Sequence, residues 1–325
     1  MSIPAPISWD DVLAARARLA PYLEASPLRQ YPLLDALVGH DIRVLVKHEN
    51  HLPVNTFKVR NGLAALTALP PDVAARGVAA ASTGNHGQGV AYAGQQLGIP
   101  VTICVPLGNN PEKNASIRAL GATLVESGTN YDECIRACET VAAQHAYTII
   151  HSTNHREVLA GAATLSLELL EQAPDVNAMV IAVGGGSQVV GALVAAAATK
   201  PSLRVYGVQS EQAPGQYEAW RAGHLNAPIP SRTFAEGIAT AGAYEMTFPV
   251  LRDLADFVLV PDADIAQAVR DLWRVTHNLA EGSGAAGFAG LRKLAPALAG
   301  QTVAVVLSGG NLSTEMAVKI LSGAM

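Results

Sequence analysis

The chain has 325 residues, 50% of them hydrophobic, so it can bury two cores or one core with a large insertion. Its 22 basic and 27 acidic side chains give a formal charge of -5, and no basic run exceeds two residues, which excludes the charge pattern of a nucleic-acid-binding protein. The first residues, MSIPAPISWDD, have prolines and acids where a signal peptide has a basic start and an apolar core, so we expect a cytoplasmic protein.

Predicted helices and strands alternate along the chain. Ser8, with Asp11 three residues later, predicts the start of the first helix through a capping pair. After it, short β-branched runs bounded by Gly or Pro alternate with Ala- and Leu-rich runs of helical period, which is typical of an α/β protein with a parallel sheet. A change in loop chemistry predicts domain seams near residues 76 and 151. The predicted strands are residues 78–82, 100–105, 122–125, 147–151, 179–183, 203–209, 257–260 and 302–307.

Residues 178–198 carry no charge, and the run is long enough to span a bilayer. Three glycines followed by Ser187 and Gln188 interrupt it near the middle. A strand, a tight loop and a buried helix explain this pattern better than a membrane span, so we expect no membrane association.

The spacing of cysteines and histidines does not predict a metal site. Cys134 and Cys138 lie one helical turn apart, without a further Cys or His at ligand spacing. His151 and His155 have a metal-like spacing, but the residues between them have the composition of a loop and no third ligand follows. We predict no bound metal and interpret the two cysteines as ordinary helix residues.

The first informative loop, STGNHGQG at residues 82–89, follows a predicted strand and precedes a predicted helix. Free N–H groups at a helix start, beside hydroxyl and amide side chains, form a site for an anion such as a carboxylate. A purely structural turn needs a glycine, but it does not need Ser, Thr, Asn and His together. The pattern favours a functional loop.

The second loop, GGGS at residues 184–187, also lies between a strand and a helix. Glycines let the backbone approach a phosphate, and the helix N-terminus supplies favourable partial charge. Dinucleotide binding fits poorly, because Val189 stands where the third fingerprint glycine belongs and the next strand ends in Gln209 rather than an acid. A single phosphate is the better ligand.

The third loop, SGGN at residues 308–311, closes the last predicted strand at its carboxyl end. Since ligands collect at the carboxyl ends of parallel strands, the three loops can face one crevice. Lys58 lies next to Phe57 in the segment NTFKVRNG, residues 55–62. A lysine, an aromatic ring, a phosphate loop and an anion loop are what an enzyme that uses pyridoxal 5'-phosphate requires.

Five motifs together resemble a known family. The segments NTFKVRNG, STGNHGQG, GGGS, EGSGAAG and LSGGN occur in the order, and at about the spacing, found in the threonine and serine dehydratases and serine racemases. The resemblance runs from about residue 20 to the end of the chain. It implies the two-domain tryptophan synthase β-like fold, with parallel twisted sheets flanked by helices. Residues 1–75 and 151–325 would form a large cofactor-binding domain, and residues 76–150 a small mobile domain with the substrate-carboxylate loop.

The resemblance also implies which residues bind pyridoxal phosphate. Lys58 would be the Schiff-base lysine and the base that takes the α-proton. The other implied cofactor contacts are Phe57 on the ring, Asn85 at the 3-hydroxyl, the loop Gly184, Gly185, Gly186 and Ser187 at the phosphate, Glu281 near the cofactor, and Ser308 at the pyridine nitrogen. Glu281 can equally be a helix-start acid without a role in binding.

The implied substrate contacts lie in the STGNHGQG loop. Ser82, Thr83, Gly84 and His86 would grip the substrate carboxylate. The implied reaction is the dehydration and deamination of a β-hydroxy-α-amino acid, such as threonine or serine, to a 2-oxo acid and ammonia. The family also implies a homodimer. Because the sequence has no segment after Met325 for a regulatory domain, we expect a catabolic enzyme without feedback inhibition.

Several positions depart from the commoner family pattern. Thr83 stands where racemases have a catalytic serine, so an amino-acid racemase is the alternative function. The family's divalent-metal site would lie around Gln209, Ala213 and Gly215, and Gln209 and Gly215 replace its carboxylates, which predicts no metal there. Asn61 and the run 161–164 differ near the crevice, which allows a bulkier substrate such as 3-phenylserine. A non-catalytic nucleotide-binding protein is a distant alternative, because it would leave Lys58 without a role.

Overall fold

A computed structural model describes residues 5–325 of the chain. Over this range the strands are β1 (Leu28–Gln30), β2 (Arg43–His48), β3 (Val78–Ala81), β4 (Val101–Val105), β5 (Thr123–Glu126), β6 (Thr148–Ile149), β7 (Ala178–Ala182), β8 (Arg204–Ser210), β9 (Asp256–Val260) and β10 (Thr302–Leu307). The α-helices are α1 (Trp9–Leu19), α2 (Pro32–Val38), α3 (Lys58–Thr67), α4 (Pro71–Arg76), α5 (Asn85–Leu97), α6 (Pro111–Ala119), α7 (Tyr131–His145), α8 (Arg156–Gln172), α9 (Ser187–Thr199), α10 (Gly215–Ala222), α11 (Phe248–Leu251), α12 (Asp262–Thr276), α13 (Gly282–Leu294) and α14 (Thr314–Leu321).

The larger sheet has six strands in the order β1-β2-β10-β7-β8-β9. All neighbours are parallel except the edge strand β1, which runs antiparallel to β2. The central strands β7 and β10 are almost entirely apolar and buried, as expected for strands that have helices on both faces. This sheet places the ends of β7 and β10 side by side, since Val305 pairs with Val180.

The smaller sheet has four parallel strands in the order β5-β4-β3-β6. Its core strand β3 is nearly all alanine, and these small side chains let helices α5 and α7 lie close to it. Cys104 of β4 and Cys134 and Cys138 of α7 are buried free thiols in this layer. The prediction that Cys134 and Cys138 are ordinary helix residues agrees with their positions.

The predicted α/β class with parallel sheets is confirmed, and each of the eight predicted strands overlaps an observed one. The strand predicted at 147–151 is only Thr148–Ile149. The capping pair is also present, because Ser8 accepts a hydrogen bond from the N–H of Asp11 and the Asp11 carboxylate accepts one from the N–H of Ser8.

Two strands were absent from the sequence prediction, β1 and β2. The buried strand β2 contains Lys47, whose charge argues against a core strand in the sequence. In the structure the Lys47 ammonium pairs with Glu168 of α8, and Arg60 of α3 pairs with both Glu168 and Glu49. Long-range ion pairs of this kind compensate the cost of burying the charges, and sequence periodicity does not reveal them.

The uncharged run 178–198 forms strand β7, a glycine loop and most of helix α9, as predicted. Within residues 5–325, every helix is too short or too polar to cross a bilayer. The division into domains 1–75 with 151–325 and 76–150 stays a prediction, and residues 1–4 of the first range lie outside the described residues.

Candidate active site

A cavity of about 580 Å³ opens where the carboxyl ends of β3, β7 and β10 meet the start of α3. It is lined by residues from all three predicted loops and by Lys58. The structure therefore brings together these predicted site residues: Phe57, Lys58, Ser82, Thr83, Gly84, Asn85, His86, Gly184, Gly185, Gly186, Ser187, Glu281 and Ser308. Its size lies within the roughly 300–1,000 Å³ usual for small-molecule sites.

Lys58 is the first residue of α3, and its Nζ atom lies 4.9 Å from the centroid of the Phe57 ring. Removal from water lowers the pKa of Lys58 to about 8, although the negative charge of Glu281 opposes the shift. An amine with this pKa has a substantial neutral fraction near pH 8. Neutral amines are nucleophiles and bases, so the environment prepares Lys58 for both roles.

The lysine segment is held against the end of β10. The Phe57 N–H donates to the carbonyl of Ser308 at 3.1 Å, and the Thr56 hydroxyl donates to the same carbonyl at 3.2 Å. Thr56 and Gly309 form an isolated bridge. Segments more than 240 residues apart in sequence are thus joined, which fixes Ser308 in the same cavity as Lys58.

The glycine loop lies directly before helix α9, which begins at Ser187. Its conformation requires small residues, because a Cβ atom on Gly184 would overlap the carbonyl of Gly237 and one on Gly185 would overlap the Thr153 hydroxyl. Gly186 has φ +93, a left-handed conformation that glycine adopts without strain. Two carbonyls of this loop accept hydrogen bonds from residues outside it. The Thr247 hydroxyl donates to Gly185 O (2.7 Å), and the Gln216 side-chain amide donates to Gly184 O (2.8 Å).

This loop fits the phosphate of pyridoxal phosphate. The first N–H groups of α9 have no partners within the helix, and the helix dipole is positive at this end. The Ser187 hydroxyl adds a further donor beside them. A phosphate bound there would lie in the cavity that Lys58 also lines, so the chain fits both ends of the cofactor.

The loop at residues 82–86 lies at the start of α5 and is a candidate anion site. The Ser82 hydroxyl accepts hydrogen bonds from the N–H groups of Gly84 (3.2 Å) and Gly87 (2.9 Å), which shapes the loop around the helix N-terminus. His86 Nε2 donates to the carbonyl of Ile150 at 2.9 Å. Burial and the nearby Lys58 lower the pKa of His86 to about 3, so this side chain is neutral at pH 7.

A polar cluster closes the cavity between the loops. Glu281 Oε1 accepts hydrogen bonds from the Asn85 amide and the Ser283 hydroxyl, both at 2.7 Å, and Asn85 Oδ1 accepts one from Asn311 at 2.8 Å. Burial raises the pKa of Glu281. Glu281 is also the residue before α13, so it is both the helix-start acid and a cavity residue, which the sequence left as alternatives.

Other predicted positions have structural partners of their own. His151 Nδ1 accepts hydrogen bonds from the N–H groups of Thr153 and Asn154, so it organises its own loop. The Gln209 amide donates to Ile238 O and Thr240 Oγ1, and its oxygen accepts from the N–H of Gln216.

Sequence reasoning missed several cavity residues that come from loops without a recognisable motif. They are Lys113, Tyr131, Thr153, Glu236 and Tyr244. A usable signal existed only for Thr153, because it follows a predicted strand, as the three motif loops do. The others lie in segments that only the packing of the chain brings to the cavity.

Comparison with known proteins agrees with this geometry. Residues 19–309 match the family described as pyridoxal-phosphate dependent enzymes. The chain is 34% identical over 318 residues to an L-threonine ammonia-lyase of Thermotoga maritima, covering 97% of this chain and 78% of that protein. It is 32% identical over 320 residues to an L-threo-3-hydroxyaspartate ammonia-lyase of a Pseudomonas species, covering 97% and 99%. Its structure resembles maize serine racemase, with a TM-score of 0.92, 27% identity and 98% coverage of each chain.

Proposed function

Because this chain belongs to the pyridoxal-phosphate dependent enzymes, in the group of threonine dehydratases and serine racemases, we propose that it is an ammonia-lyase for a β-hydroxy-α-amino acid. The substrate would be threonine, serine or a bulkier analogue such as 3-phenylserine, and the products a 2-oxo acid and ammonia. The observation that carries the proposal is the single cavity in which Lys58 meets both a phosphate loop and a carboxylate loop.

The cofactor would be held by residues from four parts of the chain. Gly184–Ser187 would bind its phosphate, Phe57 would pack on its ring, Ser308 would face the ring nitrogen, and Asn85 would lie near the ring hydroxyl. Pyridoxal phosphate, when bound, supplies an electron sink that makes the α-hydrogen of an amino acid acidic. A hydroxyl at the ring nitrogen, unlike a carboxylate, does not keep that nitrogen protonated, which favours loss of a β-substituent.

The chain's own residues then orient the substrate and move its proton. The N–H groups of Asn85 and His86 at the start of α5, with Ser82 and Thr83, would hold the substrate carboxylate. Lys58 Nζ would accept the proton from the α-carbon, since its lowered pKa leaves part of the amine neutral near pH 8. Loss of the β-hydroxyl as water, followed by hydrolysis at the nitrogen-bearing carbon, gives the 2-oxo acid and ammonia.

Replacement of Lys58 by Ala tests this proposal. We expect Lys58→Ala to lower the rate of ammonia and 2-oxo acid release by at least about a thousandfold, because the cavity loses its base and its anchor for the cofactor. The matched control is Lys319→Ala, which removes an exposed lysine paired with Glu315 on α14. If Lys58→Ala keeps more than about a tenth of the wild-type rate, Lys58 is not the base.

Racemisation is the second candidate function. It is supported by the Thr83 hydroxyl, which lines the same cavity as Lys58, and by the likeness to maize serine racemase. Chiral analysis of the substrate recovered from deuterated water separates the two activities. Inverted, deuterium-labelled amino acid without ammonia would favour racemisation over elimination.

We further propose that the protein is cytoplasmic and that residues 76–150 move relative to the rest of the chain. We also propose that it acts as a homodimer. Support for a dimer comes from exposed apolar side chains on neighbouring helices, Trp273 of α12 and Val318 and Leu321 of α14. Sedimentation of the purified protein tests the assembly.

A further inference from the structure

An apolar wall lines the outer part of the cavity, formed by Leu107, Tyr131 and Tyr244. Leu107 is 59% exposed and Tyr131 is 40% exposed, so both side chains are accessible to a ligand in the cavity. The Leu107 N–H donates to the carbonyl of Gly128 at 2.8 Å, so the loop of Leu107 lies beside the segment that leads into Tyr131. Leu107 and Tyr131 therefore come from adjacent segments of the cavity lining.

The ring of Tyr131 has a defined position. Its hydroxyl donates to the carbonyl of Ala81, at the end of β3, at 3.3 Å, immediately before the carboxylate loop. Removal from water raises the pKa of Tyr131, and the charge of the Tyr244 phenol adds to the shift. The Tyr244 ring packs edge-on against His151, with centroids 6.0 Å apart. A substrate carboxylate held at residues 82–86 would direct its β-substituent toward these rings.

The charges around the cavity disfavour a second carboxylate on the substrate. Among the described residues that line it, the basic side chains are Lys58, Lys113 and His86. Lys58 serves the cofactor, and His86 is neutral at pH 7. Lys113 is paired with the Glu236 carboxylate, and its side chain is only 11% exposed. An additional substrate carboxylate would find no free cation and would be repelled by Glu236.

Resting on the ammonia-lyase function proposed above, we propose that the preferred substrate carries an uncharged aryl group on its β-carbon, with Tyr131 and Glu236 as the residues that set this preference. The aryl ring packs on the apolar wall, where contact with an aromatic side chain stabilises it. Glu236 excludes dicarboxylic substrates by occupying Lys113. The chain thus differs in substrate class from its relative that is named for L-threo-3-hydroxyaspartate.

The test is a comparison of kcat/KM for L-threo-3-phenylserine, L-threonine and L-threo-3-hydroxyaspartate. For the wild-type holoenzyme we expect 3-phenylserine to exceed 3-hydroxyaspartate by at least about tenfold, the factor that one aromatic contact of about 1.4 kcal/mol provides. Preference for 3-hydroxyaspartate would overturn the proposal. The product from 3-phenylserine, C₉H₁₁NO₃, is 2-oxo-3-phenylpropanoic acid, C₉H₈O₃, with one ammonia, which balances the reaction.

Substitutions at Tyr131 and at Glu236 distinguish the effect of the aromatic ring on substrate preference from the effect of the Glu236 charge. Tyr131→Ala should lower the ratio of kcat/KM for 3-phenylserine over threonine by about tenfold, while Tyr131→Phe, which keeps the ring, should hold the ratio within about twofold. Glu236→Gln should raise kcat/KM for 3-hydroxyaspartate relative to threonine by about tenfold, because it frees Lys113. Equal losses on all substrates in Tyr131→Ala, or no gain in Glu236→Gln, would contradict the assigned roles.

A binding measurement tests the proposed substrate class independently of the proposed reaction. Rapid mixing of the holoenzyme with each amino acid, followed by the visible absorption of the bound cofactor before products accumulate, gives Kd separately from turnover. If no substrate releases ammonia but 3-phenylserine binds at least about tenfold tighter than 3-hydroxyaspartate, the ammonia-lyase function fails and the substrate class stands. Equal or reversed affinities reject the substrate class, whatever the reaction is.

Discussion

Lys58 shows how a single residue acquires its chemistry from its surroundings. An ordinary lysine has a pKa near 10.5, so almost none of it is neutral at pH 7. At the start of α3, loss of hydration lowers this pKa to about 8, and Glu281 limits the shift. Phe57 next to it supplies an apolar surface without a competing charge. The lysine therefore remains reactive at a physiological pH.

The rate at which the apoenzyme captures pyridoxal phosphate should follow this pKa. Since the neutral amine is the reactive form, the fraction that can react rises with pH up to about 8 and then levels off. Stopped-flow absorption of the bound cofactor between pH 6 and 10 measures it. A rate that still climbs tenfold per pH unit above pH 9 would mean that Lys58 has the pKa of an exposed lysine.

At the scale of elements, two helices set the distance between the lysine and the carboxylate loop. Gly62 of α3 and Gly89 of α5 face each other so closely that a Cβ on Gly62 would overlap the Gly89 carbonyl, and one on Gly89 would overlap the Lys58 carbonyl. This close contact brings the starts of α3 and α5 to one cavity. Two glycines of the predicted motifs thus have a packing role, in addition to the binding roles proposed for their neighbours.

Gly62→Ala should separate these two helices. We expect it to reduce the free energy of unfolding by about 1–3 kcal/mol through overpacking, and to lower ammonia release because Lys58 shifts relative to residues 82–86. Urea unfolding and the activity assay measure the two effects. Gly242→Ala is the matched control, since its nearest neighbour would be 3.5 Å away, and its change should stay within about 0.5 kcal/mol. Equal effects in both variants would remove the packing argument.

At the scale of the whole molecule, the cavity joins the two sheets. Residues 82–86 follow a strand of the smaller sheet, whereas residues 184–187 and Ser308 follow strands of the larger one. The Lys113–Glu236 pair also connects α6, beside the smaller sheet, with the segment next to the glycine loop. A ligand that binds across this cavity therefore stabilises contacts between the two parts of the fold.

Pyridoxal phosphate should stabilise the whole chain against unfolding. At a free concentration of 100 times Kd it should add about 2.7 kcal/mol to the free energy of unfolding, seen as a higher Tm. Pyridoxal, which lacks the phosphate, should give a clearly smaller shift at the same concentration, because the loop at residues 184–187 stays unfilled. Equal shifts by the two compounds would show that this loop does not bind the phosphate.

Much of the fold and of the inner site follows from local patterns in the sequence. Short apolar runs that alternate with runs of helical period predict parallel strands separated by helices. The prediction works because the spacing of buried side chains along each element depends on that element alone. Lys58, the STGNHGQG loop and the glycine loop are local motifs, so the atoms that shape each anion site come from consecutive residues. Strands β3, β7 and β10, which carry the loops, were predicted for the same reason.

Tertiary structure alone decided the rest, because it depends on contacts between distant segments. Lys47 is buried in strand β2 with partners distant in sequence, Glu168, 121 residues away, and Gln172 and Ser26 O. Tyr131, Tyr244 and Glu236 belong to segments without a motif, and only chain packing places them at the outer cavity. The chemistry common to the family is local in the sequence, whereas the surface that would select the β-substituent is assembled from across the fold.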